Sequence, residues 1–283
     1  GTVTAAGTGA VTFDTNDQAI GGSAAVSIVN AAVTGITLTN NSTVGFTAVS
    51  TLSGTGTLTQ GENAMLNIGG SSAITNLNAS ATGNTVTYNG ATQTVKVTTY
   101  HNLTLSGSGA KTLTGVGTVN GSLTVSGSAS ATAATALTIG GSLTISGGSF
   151  SDGGYAISAG TLNLSSGTFK TLASAFPSFS TVNITAGSTV EYGAAGAQTV
   201  SSAVTYPNLV ISGSGTKTLD GTTTMTGSLN IAAGTLAAGT YDLVIGGGWT
   251  NAGTFTQDTA HTVTFNGGNG TIITNGVTAG KTF

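Results

Sequence analysis

The amino-acid sequence predicts an all-β chain wound as a parallel β-solenoid of about a dozen coils, and three observations lead there. Aliphatic residues alternate with threonine, serine or asparagine at a period of two. Triplets of apolar, polar and apolar residues recur about 20 residues apart, as repeat architectures require. Glycine-containing pairs stand between the triplets and supply the backbone freedom that tight corners need.

The triplets Leu103-Thr104-Leu105, Leu123-Thr124-Val125, Leu143-Thr144-Ile145, Leu162-Asn163-Leu164, Val182-Asn183-Ile184 and Leu229-Asn230-Ile231 read as short half-buried strands. Successive side chains on a strand point to opposite faces, so the aliphatics face one side and the hydroxyls or amides the other. Gly107-Ser108, Gly147-Gly148 and Asn266-Gly267 mark corners. No window carries a 3.6-residue apolar period with caps, so no helix is expected. The rival all-β architecture is a string of β-sandwiches, whose turns also come every 8–12 residues.

A longer repeat is superimposed on the coils. Tyr100-His101-Asn102-Leu103 through Lys111-Thr112-Leu113 recurs as Tyr206-Pro207-Asn208-Leu209 through Lys217-Thr218-Leu219, and both copies then reach Gly-Ser-Leu at Gly121 and Gly227. A preceding strand recurs as Val86-Thr87-Tyr88, Val190-Glu191-Tyr192, Val263-Thr264-Phe265 and, more loosely, Val11-Thr12-Phe13. These markers divide the chain into a divergent N-terminal β-repeat region (1–85), a solenoid unit (86–189) and a second unit (190–283) whose C-terminal coil is incomplete. Stacked coils tolerate such variation in unit length, because a coil is added or lost without breaking its neighbours.

Composition excludes several functions. Charged residues are 5% of the chain, against about 25% in an ordinary soluble domain. The five basic residues are all lysines and the net charge is -3, so no phosphate-binding face forms, and nucleic acid is not an expected partner. Cysteine is absent, which removes disulfides, thiolate metal sites and thiol nucleophiles. No apolar run approaches the length of a membrane-spanning helix. The chain opens at Gly1 with no initiator methionine, basic n-region or apolar h-region, which predicts a mature secreted piece whose targeting segment lies elsewhere.

These repeats resemble the strand-repeat regions of very large bacterial extracellular surface proteins, adhesin-like and solenoidal. The residues that carry the resemblance are Thr262-Val263-Thr264-Phe265-Asn266-Gly267, the Tyr-x-Asn-Leu strands at Tyr100 and Tyr206, the Lys-Thr-Leu turns and Gly246 through Phe255. The likeness covers the chain from about Val86 onward. It implies an extracellular, non-catalytic structural role. In that idiom a Thr-Phe such as Thr282-Phe283 precedes another Tyr-x-Asn-Leu strand, which predicts either a fragment or a subunit completed by a neighbour.

No catalytic residue, metal ligand or cofactor is expected. Asp14, Asp17, Glu62, Asp152, Glu191, Asp220, Asp242 and Asp258 are scattered, whereas acid–base chemistry gathers such groups. His101 takes the place of Pro207 in the other copy, and His261 stands alone beside a strand; both read as surface or turn residues. Asp14-Thr15-Asn16-Asp17 is oxygen-rich but lacks the spaced acids and loop glycine of a calcium loop, and reads as a polar turn. Lys111 and Lys217 occupy equivalent positions and are expected to face solvent, where they discourage edge pairing. Asn-x-Ser/Thr triplets at Asn40, Asn41, Asn78, Asn102, Asn120, Asn163, Asn183 and Asn269 follow from composition. Trp249, Tyr241, Phe255, Phe176 and Phe179 are expected at coil corners or core ends, and Ala175-Phe176-Pro177-Ser178-Phe179 as a protruding loop.

Three functions fit this reading. The first is a filament or surface-layer subunit that associates head to tail with itself by strand addition. The second is an adhesin stalk of a large cell-surface protein. The third is binding of carbohydrate or ice by paired threonines, although Thr37/Thr39, Thr57/Thr59 and Thr222/Thr224 look sporadic.

Overall fold

The computed structural model describes residues 1–268 and 270–274. The chain is all-β, without helix among these residues, and its parallel strands stack as a β-solenoid of about 14 turns. Every described pairing between named strands is parallel, which distinguishes the architecture from tandem β-sandwiches. The expected incomplete coil at Thr282-Phe283 lies outside the described residues.

By internal contacts the chain forms two units, one comprising Gly1–Thr144 with Ile157–Gly160 and the other Ile145–Ala156 with the residues from Thr161 onward. The first unit begins with β1 (Thr2–Phe13), β2 (Gln18–Ile20), β3 (Ala25–Val33), β4 (Thr37–Asn40) and β5 (Phe46–Gln60). β1 pairs with β3 and β2 with β4; β3 and β4 both pair with β5, which runs continuously over two faces of its coil.

Register explains the core. Phe46, Leu66, Val86, Leu103 and Leu123 lie directly over one another in successive coils, as do Ala48, Ile68, Tyr88, Leu105 and Val125. All ten are fully buried. The residues between them, Thr47, Asn67, Thr87, Thr104 and Thr124, form a half-exposed outward row. Burial on both sides requires the layers above and below, so a column is stable only as a stack. The second unit repeats the scheme with Val190, Leu209, Leu229 and Trp249 in one buried column.

The Ser-Gly that closes the repeated triplet has a definite cause at two positions. Gly107 and Gly213 adopt φ of 72° and 70°, in the left-handed region. A Cβ on Gly107 would collide with the Asn89 and Gly90 carbonyl oxygens, and one on Gly213 with those of Ala194 and Gly193. Only glycine lets one coil's corner settle on the corner beneath it.

One expected half-buried strand differs. Phe179–Ile184 is extended, yet Val182 is 37% exposed. It borders a groove shared with Ser201, Ala203 and Val204. Residues 201–204 turn there instead of forming a strand, so no aliphatic layer covers Val182.

Leu103→Ala should lower stability by about 2–5 kcal/mol, because its site is enclosed by fixed layers. Thr104→Ala on the outward row should change it by no more than about 0.5 kcal/mol. Urea unfolding of the two variants compares them directly.

Candidate functional site

The repeated motif forms one structural device in each unit. In the first, the Lys96 amide donates to the Tyr88 hydroxyl (3.0 Å), and the Tyr100 hydroxyl donates to the Lys96 carbonyl (2.6 Å). The two phenol oxygens are 3.2 Å apart, so Tyr88 donating to Tyr100 closes a ring of three hydrogen bonds. In the second unit Tyr192 and Tyr206 do the same to Ser201, at 3.2 and 2.7 Å, with 2.9 Å between the hydroxyls. All four tyrosines are fully buried. Each pair clamps the peptide groups of a corner that has no strand partner, as buried backbone polar groups demand.

Asn102 and Asn208 stitch three coils together. The Asn102 amide group donates to the Asn84 carbonyl (3.1 Å), and its oxygen accepts from the Ser122 amide (3.0 Å). Asn208 makes the same pair of bonds, to the Ser188 carbonyl and from the Ser228 amide.

The lysines correct the expectation of solvent-facing charges. Lys111 and Lys217 are fully buried. Lys111 Nζ donates to the Gly90 carbonyl (2.6 Å), the Ala91 carbonyl (2.5 Å) and Gln93 Oε1 (2.7 Å), which uses all three of its donors. Lys217 Nζ donates to the Ala194, Gly196 and Gly215 carbonyls. Main-chain carbonyls turn inward at these corners, and an ammonium on a flexible stem can reach them. Glutamines complete the corner: Gln93 sits in register with Lys111 and donates to the Ile68 and Gly70 carbonyls, while Gln198 sits in register with Lys217 and donates to those of Thr171 and Ala173. The sequence reading missed both glutamines. Their signal was present, since each precedes its lysine by one coil in both copies.

Burial shifts these groups in opposite senses for stability. It lowers the pKa of Lys111 and of Lys217 from 10.5. The unfolded chain therefore holds these protons more tightly, and the lysines alone make stability rise with pH towards 10.5. Desolvation by burial raises all four tyrosines from 10.0, Tyr192 to about 12. Here the folded state holds the protons more tightly, so the phenols' contribution is complete below pH 10 and is lost as pH rises through the folded values.

The acids serve separate corners. Asp152 is buried, accepting from the Thr171 hydroxyl (2.6 Å) and the Leu172 and Gly154 amides (2.7 and 2.8 Å). Asp17 accepts from the Thr37 amide and Asp220 from the Ser202 amide, while Asp14 accepts from the adjacent Thr15 hydroxyl in an exposed turn. Glu191 pairs with Lys170 at 2.7 Å. Asp242 accepts from the Thr262 amide (2.7 Å), which lowers its pKa, and lies 3.6 Å from His261 Nδ1. Asp258 accepts from the Ala260 amide, and Glu62 is exposed. Among the described residues no group of three or more histidines and acids is arranged to hold a metal ion. His101 sits half-exposed at a corner, its amide donating to the Ala79 carbonyl.

The remaining sequence features separate by burial. Asn40 is buried, bonded to Gln60 and the Met65 carbonyl, and Asn102 is tied as described; neither presents its amide for glycosylation. Asn41, Asn78, Asn120 and Asn183 are exposed, Asn163 is half-exposed, and Asn269 lies outside the described residues. Trp249 and Phe255 are core residues in edge-to-face contact at 4.9 Å; Tyr241 is half-exposed. The segment Ala175–Phe179 does not protrude. Phe176 and Phe179 fold back onto Phe169, with centroids at 5.4 and 6.1 Å, because two aromatic rings bury more area against that buried ring than in water. Thr37/Thr39 and Thr57/Thr59 are not sporadic but stacked in register, followed by Asn76 and Asn78 on the next coil. Thr224, by contrast, meets Val244.

Compared with protein-family models, curated proteins and solved structures, the chain matches none.

Lys111→Met should cost about 1–3 kcal/mol, since it removes three hydrogen bonds from an ammonium. Lys96→Met should be nearly neutral, and chemical denaturation separates the two. At high pH the difference in unfolding free energy between the parent chain and Tyr192→Phe/Tyr206→Phe should shrink as pH rises from 10 through about 12. The lysines are common to both proteins and cancel, so a difference that widens would contradict the assignment.

Proposed function

We propose that the chain is a non-catalytic structural subunit of an extracellular filament or surface layer, in which copies add end to end by β-strand pairing. The observation that supports this reading is the uncharged strand edge that β1 presents wherever it stands at the end of a stack. Among the described pairings, β1 is hydrogen-bonded to β3 alone. Its 12 residues include no charge and no proline, and Val3 is 61% exposed. Soluble proteins ordinarily blunt such an edge with lysine, proline or a covering segment, because its unpaired N–H and C=O groups template another strand. A heterologous contact of this kind propagates as a fibre.

The non-catalytic reading is supported by the use of the ionisable groups. Buried ammoniums, phenols and Asp152 bond to main-chain groups of their own or the adjoining coil. The resemblance to strand-repeat regions of bacterial surface proteins supports placement outside the cell.

A second reading, the stalk or binding module of a large adhesin-like surface protein, is favoured by the duplicated Tyr–Gln–Lys–Asn corner. A stack that repeats its corner ties can be lengthened by whole units. The stacked Thr37/Thr39 and Thr57/Thr59 pairs support a carbohydrate partner within that reading.

Negative-stain microscopy and sedimentation of the chain should reveal concentration-dependent polymers. Thr4→Lys/Thr12→Lys, which places two charges on exposed positions of β1, should leave the melting temperature nearly unchanged and abolish them. A parent chain that stays monomeric at high concentration would favour the stalk.

A further inference from the structure

The duplicated tyrosine corner meets the coil beneath it differently in its two copies. In the first, the Thr98 hydroxyl donates to the Leu77 carbonyl (2.7 Å), the His101 amide donates to the Ala79 carbonyl (2.7 Å), and Tyr100 bridges to Ala79. In the second, Val204 stands where Thr98 does and Pro207 where His101 does. Valine has no hydroxyl and proline no N–H, so both donors are gone. Among the described bridges Tyr206 keeps only the one to the coil above, at Met225.

The strand beneath the second corner is Phe179–Ile184. It is tied downward, since the Thr185 amide donates to the Leu164 carbonyl (3.0 Å) and the Asn183 side chain to Asn163 Oδ1 (2.9 Å). Upward, no described hydrogen bond joins it to residues 201–205. The Ser201, Ser202 and Ala203 amides donate instead to the Tyr192 hydroxyl, Asp220 Oδ1 and Ser201 Oγ. No residue of the strand is fully buried. This open edge lies within the stack, because the neighbouring face carries straight on through Phe169, Val190 and Leu209.

The edge opens into a groove of about 490 Å³ whose apolar lining is Phe176, Phe179, Val182 and Val204, with Ser180 and Ser201 among them. No ionisable side chain lines it. Unpaired main-chain groups beside an apolar trough are what strand addition uses: the ladder supplies affinity and the trough receives alternate side chains. A charge would lie there without a counter-ion, so the occupant is neutral. A sugar fits less well, because the Phe176 and Phe179 rings are already engaged edge-to-face with Phe169 and with each other. A folded second copy fits less well too, since inner strands such as Leu103–Leu105 already have ladders on both sides.

We infer that the Phe179–Ile184 edge is a docking site for one extended, uncharged segment of another polypeptide that carries small aliphatic residues at alternate positions. The site is independent of the end-to-end reading above.

The test is fluorescence anisotropy of a labelled peptide of three Thr-Val repeats with an uncharged Gly-Ser tail, titrated with the full chain. The peptide should bind saturably, and one with lysine in place of valine should not. Val182→Lys, at an exposed position, should leave the melting temperature nearly unchanged and weaken binding at least about tenfold. Val204→Thr/Pro207→His returns the two donors that close the first corner and should weaken binding at least about threefold. If that double variant fails to fold, Val182→Lys decides alone. A peptide that does not bind overturns the inference. So does one that binds the parent and Val182→Lys equally, which would place it at another edge. Pairing of the parent chain that Val182→Lys abolishes, without peptide binding, would assign the groove to a second copy and equally overturn it.

Discussion

Parallel in-register stacking is the constraint on which the rest of the structure depends. A column such as Phe46, Leu66, Val86, Leu103 and Leu123 has no floor or ceiling except its own neighbours. Each coil is too small to enclose a core by itself, so the hydrophobic driving force acts between coils rather than within them. Everything polar in the interior is arranged so that this vertical spacing is never interrupted.

The corners show how. Strands satisfy their own backbone through the ladders, but a corner leaves carbonyls and amides pointing inward. Buried tyrosine pairs, asparagines, glutamines and the two ammoniums fill those places, the tyrosines bonding to main chain of their own coil and the others to main chain of the adjoining one. An ammonium in such a position is costly to desolvate, and three acceptors around Lys111 offset that cost. The low charge content of the chain is thus only part of a description: Lys111, Lys217 and Asp152 are interior fittings.

The strand period and the coil spacing were legible because alternation and recurrence leave a direct trace in the order of residues. The Tyr-x-Asn-Leu and Lys-Thr-Leu repeats were also visible, yet their roles were not. Alternation assigns a face to a strand residue but says nothing of corners, where direction depends on the turn. Lys111 was therefore placed in solvent by its chemistry alone, when its register with Gln93 sets it inside. The loop at Ala175–Phe179 was misread for a related reason, since Phe169, the ring that draws Phe176 inward, lies on another strand. The roles of the scattered acids were invisible in the same way, because Asp17, Asp152, Asp220, Asp242 and Asp258 each bind an amide chosen by the fold.

The interior position of Lys111 and Lys217 has a consequence for how the molecule meets proteases. Proteases that cut after basic residues find no arginine and only five lysines to work on, and two of those five are sealed between layers. The same side chains that tie the corners are thereby withheld from digestion, and a surface made of threonine, serine and asparagine offers such enzymes little to grip.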